Sequence, residues 1–148
     1  MLGDLDHALE YFEQSLAINK QIGSPGDIAL SFNNIGGIYS SLGKLGQALR
    51  CYERTFALYE QVGMLNNMAD TLHNIGMIYE KQGKLSQAIG WYRKALRLFE
   101  SLGYGFEVWV ANELERLATC YLLLGELEKS VSFNIRANRI RDEIKKIR

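Results

Sequence analysis

The segment Phe32-Asn33-Asn34-Ile35-Gly36-Gly37-Ile38-Tyr39 returns forty residues later as Leu72-His73-Asn74-Ile75-Gly76-Met77-Ile78-Tyr79. A looser third copy, Leu114-Glu115-Arg116-Leu117-Ala118-Thr119-Cys120-Tyr121, begins forty-two residues after that. In each copy the apolar or small residues fall at x, x+3, x+4 and x+7, which is one face of an α-helix. A second pattern follows the first two copies: a small residue, then an aromatic four positions on, as in Ala48 and Tyr52 or Ala88 and Tyr92. Ala8 and Phe12 open the chain with the same pair. Small side chains let helix axes approach, and the aromatic fills the space beside them. The repeating unit is therefore a pair of helices.

Glycines punctuate this pattern. Gly3, Gly23, Gly43, Gly63, Gly83 and Gly103 fall at intervals of twenty, and Gly125 follows after a slip of two. A residue that accepts positive φ is what a helix needs just past its end. The spacing predicts seven helices, over about residues 4–21, 27–42, 45–62, 66–82, 85–102, 107–124 and 127–147. One start is well marked: Ser24-Pro25-Gly26-Asp27 offers a Ser cap, a Pro in the first turn and an acid three residues after the cap. Helical pairs of this period stack, each burying its apolar strip against the next. The expectation is an all-α solenoid forming one domain over 1–148. It divides into a half repeat at 1–23, full repeats at 24–63 and 64–103, and a degenerate capping repeat at 104–148.

Composition narrows the function. Seventeen basic and seventeen acidic side chains cancel, which argues against a general polyanion binder and makes nucleic acid an unlikely partner. One proline and four valines in 148 residues suit helix over sheet. Cys51 and Cys120 lie within helical patterns far apart in sequence, so neither a disulfide framework nor a metal site is expected, and they read as small packing residues. Met1-Leu2-Gly3-Asp4 lacks the basic segment and long apolar run of a signal peptide, and no stretch approaches the ~18 apolar residues of a membrane span. A soluble, cytoplasmic protein is expected, with no membrane partner.

The residues quoted above resemble the tetratricopeptide repeat, whose pattern is W-x-x-L-G-x-x-Y followed by A-x-x-x-F in a helix-turn-helix unit. Residues 32–39 and 72–79 match its first half; 48–52 and 88–92 match its second. The resemblance covers nearly the whole chain. The period exceeds the usual 34 residues and is similar to that of kinesin light chain-like repeats. The family's proline after the second helix is missing. In the last copy Ala118 replaces the glycine, Ser130 the alanine and Asn134 the aromatic, as in a cap that faces water. The resemblance implies a right-handed α-α superhelix whose first-type helices line a concave groove that takes an extended peptide or a partner helix.

Opposite the apolar face, the first copy presents Leu30, Asn33, Asn34, Gly37 and Ser41. The second presents Asp70, His73, Asn74, Met77 and Lys81, and the third Asn112, Glu115, Arg116 and Thr119. Stacking would set these rows side by side as the peptide-binding groove. Asn34 and Asn74 hold the same register, and an amide can pair with a peptide backbone regardless of its side chains. In the resembling family such an asparagine commonly holds the ligand main chain. The alternative is that both amides bond to helix ends or neighbouring repeats. Arg116 takes the third slot and could grip a carboxylate, or else pair locally with Asn112 or Glu113. His73 has no second histidine at a ligand spacing, so it is a groove contact and not a metal ligand. No nucleophile–base pair, phosphate loop or paired-acid set is visible. No catalytic residue, metal or cofactor is assigned, and the chain is not expected to be an enzyme.

Three features lie outside this scheme. The half repeat exposes Ala8, Phe12 and Leu16, which would meet another chain in a homo-oligomer or mark a fragment of a longer array. Gly103-Tyr104-Gly105-Phe106-Glu107-Val108-Trp109-Val110 breaks the period with three aromatics, read as filler of a wider gap or as a contact site at the groove rim. The last helix is basic, with Arg136, Arg139, Arg141, Lys145, Lys146 and Arg148, which suits the negative end of its dipole. The leading function is a scaffold or adaptor that binds protein. The alternatives are a regulatory or sensor segment of a larger signalling enzyme, and self-assembly through the first helix.

Overall fold

The computed structural model describes residues 2–147; Met1 and Arg148 lie outside them. These residues form seven helices: α1 (Leu2–Ile22), α2 (Pro25–Ser41), α3 (Leu45–Val62), α4 (Leu65–Lys81), α5 (Leu85–Leu102), α6 (Glu107–Leu123) and α7 (Leu127–Ile147). No strand occurs among the described residues. Only helices adjacent in sequence pack extensively on one another, which is the signature of a solenoid. The helices α2, α4 and α6 are the first members of their pairs; α3, α5 and α7 are the second.

The turns form as the glycine spacing predicts, with one exception. Gly23, Gly43, Gly63, Gly83, Gly103 and Gly125 all take positive φ, between 71° and 78°. Gly3 does not: it lies inside α1. The start of α2 also differs from expectation. Ser24 has the extended backbone of a cap residue, but its side chain makes no capping hydrogen bond. Pro25 begins the helix two residues earlier than the pattern suggested, because its fixed φ is already helical and it has no N–H to satisfy.

Equivalent positions build the core. Ala29, Ala69 and Ala111 are fully buried, as are Ala48 and Ala88. Tyr52 packs on Gly36 and Tyr92 on Gly76, so closely that a Cβ at either glycine would fall inside the ring's contact distance. Where Ala118 takes the glycine's place, the aromatic is gone and Asn134 stands there instead. Tyr92 is fully buried and donates its hydroxyl hydrogen to Glu80. Burial pushes the Tyr52 phenol up to about 12 and raises that of Tyr92 further.

The two ends of the stack correct the reading of the sequence. Ala8, Phe12 and Leu16 are only partly exposed; Leu9, Phe12 and Leu16 pack against Phe32, Ile35 and Cys51. The large apolar α1 side chains left open are Tyr11, Ile18 and Ile22. At the other end α7 exposes a mostly polar surface, interrupted by Leu127, Val131 and Ile135, beside Leu123 at the end of α6 and Leu124 of the turn. Its basic residues are partly engaged: Arg136 pairs with Glu100 on α5 and Arg141 with Glu115 on α6. In the 103–110 segment Phe106 and Trp109 pack on Phe99 and on each other, with ring centroids 5.5–6.4 Å apart. Tyr104 is 86% exposed and takes no part in that filling.

Candidate functional site

The face of α2, α4 and α6 opposite the core carries the rows expected from the sequence, and neighbouring rows touch. Asn74 Nδ2 donates to Asn33 Oδ1 at 3.3 Å, and Lys81 Nζ donates to Ser40 Oγ at 2.6 Å. These contacts tie α4 to α2. Between α4 and α6 lies a cleft of about 390 Å³ lined by His73, Asn112, Glu115, Arg116 and Thr119. A second, of about 280 Å³, is lined by Met77, Glu80, Lys81 and Arg116. Arg116 borders both. The structure thus brings six of the other expected residues to the two clefts that Arg116 borders, supplied by one face of α4 and one of α6 at successive turns.

The electrostatics of this site are more internally paired than the sequence suggested. Arg116 pairs with Glu80 one repeat back, at 3.6 Å, and with neither Asn112 nor Glu113. Stacking sets α4 beside α6, and the long guanidinium side chain reaches Glu80 near the end of α4 rather than its own register mate, Asn74. Its side chain stays 42% exposed, so it remains open to a further acceptor. Arg141 enters from α7 and grips Glu115 with two nitrogens, Nε to Oε1 at 2.5 Å and Nη2 to Oε2 at 2.9 Å. Its Nη2 also donates to Asn112 Oδ1 at 2.8 Å. The bidentate guanidinium holds the Glu115 carboxyl below the ordinary carboxylate value.

His73 Nδ1 lies 2.5 Å from Glu113 Oε1. Glu113 is 2% exposed, and its Oε2 has no hydrogen-bond partner. In the two earlier repeats the same register holds Ser31 and Thr71, both buried. Each satisfies itself by donating to a carbonyl four residues back, Asp27 and Asn67 respectively. A carboxylate has no hydrogen to donate to that carbonyl and reaches to His73 instead. A buried carboxylate needs such a partner.

The remaining expected residues are more dispersed. Asn34 makes no side-chain hydrogen bond to another described residue, which leaves its amide available. Leu30 is half exposed. Asp70 lies on the rim, where partial desolvation raises its carboxyl above the ordinary value and His73 opposes the rise. Ser41 and Thr119 donate to carbonyls of their own helices, Gly37 and Glu115. Sequence reasoning missed Glu80, Glu113 and Arg141. Glu113 could have been found by aligning it with Ser31 and Thr71. Arg141 falls at the register of Tyr59 and Phe99, both buried, and its break from that pattern was the available signal.

Among the described residues no group of His, Cys, Asp and Glu could hold a metal ion, and no helix is long and apolar enough to cross a membrane. Both cysteines are buried. Burial raises the Cys51 thiol and carries that of Cys120 up to about 11, which disfavours the thiolate at both.

A cleft of about 580 Å³ also opens between α3 and α5 on the other side of the stack. Phe56, Trp91 and Leu98 form its walls and Leu72 and Ile75 its floor. No sequence pattern pointed to it.

Comparison with known proteins agrees with this architecture. BtubC (BKLC) from P. vanneervenii superposes with a TM-score of 0.88 at 23% identity, over 97% of this chain. The chain spans 59% of BtubC's length. A putative kinesin light chain from Podosopora anserina, with nearly identical TPR-like repeats, gives a TM-score of 0.77 at 15% identity over 97% of this chain and 70% of its own. The apo form of RapI gives 0.62 at 20% identity, over 97% and 64% respectively. At such identities these structures speak for the fold alone. A search of curated proteins returns no match to the sequence. The family profile of the tetratricopeptide repeat matches three overlapping stretches, residues 1–61, 27–101 and 67–143. The paired helices, the glycine–aromatic contacts and this match across nearly the whole chain agree: the chain belongs to the tetratricopeptide-repeat family.

Proposed function

We propose that this chain is a protein-interaction module that takes an extended peptide along α2, α4 and α6. The observation that carries the reading is the pair of adjoining clefts around Arg116. Their polar walls are braced by neighbours and still partly open, as in a site prepared before its ligand arrives. Arg116 is the anchor for a ligand carboxylate, His73 and Thr119 flank it, and Met77 gives an apolar contact. Asn34 supplies an unengaged amide for the ligand main chain one repeat away. Asn74 is partly committed to Asn33, so its role is to fix the spacing between rows.

A displayed library of random peptides, selected on the intact protein, provides ligands for the test. Asn34→Ala and Arg116→Ala each remove a contact of about 0.5–1.5 kcal/mol. Together they should weaken selected peptides by about five- to 150-fold. A control, Trp91→Ala in the cleft on the other side, should leave those affinities unchanged. Peptides insensitive to the double substitution and sensitive to Trp91→Ala would move the site to that other cleft.

A further inference from the structure

The cleft between α3 and α5 differs in kind from the groove on the other side. Its floor is Leu72 and Ile75 of α4, and its walls are Phe56, Trp91 and Leu98. Apart from the Trp91 indole N–H, these five side chains offer no hydrogen-bonding group. The polar residues Glu53, Lys94, Arg97 and Ser101 are all exposed and form the mouth. Its volume of about 580 Å³ falls within the roughly 300–1,000 Å³ of small-molecule sites.

The helices flanking this cleft are not tied together. At the next junction Arg136, the register mate of Lys94, pairs with Glu100 and so ties α7 to α5. The register mate of Glu100 is Glu60, which has no ion-pair partner among the described residues. Lys94 instead lies over the Trp91 ring, 4.2 Å from its centroid. Trp91 in turn stacks on Tyr79, with 10° between the ring planes. No ion pair or side-chain hydrogen bond joins α3 to α5 among the described residues. The aromatic wall is therefore fixed before a ligand arrives, and the two rims are not drawn together.

The lining decides what fits. An α-helix about 10 Å across would displace roughly 1,200 Å³ over the ~15 Å that separate Trp91 from Ser101 along α5. That is about twice the space present, so a helix would rest on the rim with only its side chains inside. An extended peptide would bring backbone N–H and C=O groups against walls that cannot pair them, which is costly. A hydrocarbon chain has no such groups. The mouth adds a preference of charge. Lys94 and Arg97 stand on the α5 rim and Glu53 on the α3 rim; neither Arg97 nor Glu53 has an ion-pair partner among the described residues. One carboxylate at the α5 rim meets two cations, whereas a second acid would face Glu53.

We infer that the cleft between α3 and α5 binds a free straight-chain monocarboxylate. Its hydrocarbon tail lies on Leu72, Ile75, Phe56 and Leu98, and its carboxylate is held at the mouth by Lys94 and Arg97. The site shares no residue with the groove, so its ligand and its test stand apart from the peptide reading.

Calorimetric titration of the intact chain with decanoate, below its micelle concentration, tests this. The expected result is saturable one-to-one binding, with decyltrimethylammonium at least about five-fold weaker. Lys94→Glu with Arg97→Glu should weaken decanoate about five- to thirty-fold at low salt and strengthen the ammonium. Both side chains are exposed, so the fold is kept. The same change of net charge made on α7, Arg139→Glu with Lys145→Glu, should leave decanoate binding as it was. Trp91→Ala should weaken it about tenfold or more. Decanoate that fails to bind overturns the inference. So does binding that the ammonium matches, that ignores the reversal on α5, or that follows the reversal on α7 equally. A dimer or a selected peptide that depends on Trp91, in place of decanoate, would assign the cleft to a second copy or to a partner chain and overturn it too.

Discussion

At Gly76 an added methyl group would meet Tyr92 Cε1 at 2.7 Å and Cδ1 at 2.8 Å. The ring cannot easily yield, because it is fully buried and its hydroxyl is bonded to Glu80. Alanine at this helical position gains about 1 kcal/mol of intrinsic helix preference, and overpacking a tight contact costs about 1–3 kcal/mol. The crowding wins. Gly76→Ala should lower stability in urea denaturation by up to about 2 kcal/mol, and Gly76→Ala with Tyr92→Asn should relieve the clash, as Ala118 and Asn134 do in the third repeat. Equal stability of wild type and Gly76→Ala would mean that the ring moves freely. This coupling was legible in the sequence, since glycine and aromatic vanish together in the last copy. The His73–Glu113 contact was not legible from either residue alone. Glu113 is polar and next to the core face, and its neighbours in sequence suggested a surface pair. Only its register with Ser31 and Thr71 marks it as buried. A buried carboxylate left without its partner costs about 3–5 kcal/mol. His73→Ala should therefore destabilise strongly, while His73→Ala in a Glu113→Thr background should cost about 1 kcal/mol or less. Additive losses in that double-mutant cycle would show that the two side chains do not support each other.

Among the elements, α7 departs furthest from its equivalents. In α3 and α5 the register of residue 141 is filled by Tyr59 and Phe99, each nearly fully buried. There the hydrophobic seam secures the helix. In α7 that task passes to Arg141, bound to Glu115 and Asn112 on α6. An ionic clamp introduces a pH dependence that a phenyl ring does not have. Arg141 holds the folded Glu115 carboxyl below its ordinary value of 4.5. A lowered folded value means that the stabilisation is fully present above the unfolded value, about 4.3, and is lost as pH falls through the folded one. The stability difference between wild type and Arg141→Gln should accordingly be constant from neutral pH to about 5. It should then shrink as the solution is acidified below about 4. Both side chains are partly exposed, so the difference will be modest, about 1 kcal/mol or less. A difference that grew on acidification would contradict the clamp. The helix itself was predictable to the residue, Leu127–Ile147, from its glycine and periodicity. Its surface was not, because an apolar stripe on the outer flank of a last repeat has the same spacing as one facing the core. Similarly, Ala8, Phe12 and Leu16 read as open in sequence, although α2 and α3 partly cover them.

Over the whole molecule, stability is distributed along a line. Helices touch their sequence neighbours and little else, so stability is a sum of repeat and junction contributions, and a perturbation spreads only as far as its neighbours carry it. The junctions are unequal. One buried cluster runs from Ala69 through α5 and α6 to Ala137, joined by Phe99, Leu114 and Leu117. The cluster under α1 is smaller, built on Phe32, Ile35 and Cys51, and α1 contributes to it from one side only. Opening should therefore begin at α1 and proceed inward, with α5 and α6 the last to exchange their amides. Native-state hydrogen exchange on the wild type should show protection rising from α1 through α3 and reaching its maximum in α4 to α6. The response to single substitutions separates this order from an all-or-none globule. Leu16→Ala should speed exchange in α1 and α2 severalfold and leave α6 at its wild-type rate. Leu117→Ala, a fully buried residue, should cost about 2–5 kcal/mol and speed exchange in α5, α6 and α7 together. If Leu16→Ala accelerated α6 as much as α2, the seven helices would unfold as one unit and the additive description of the array would be wrong.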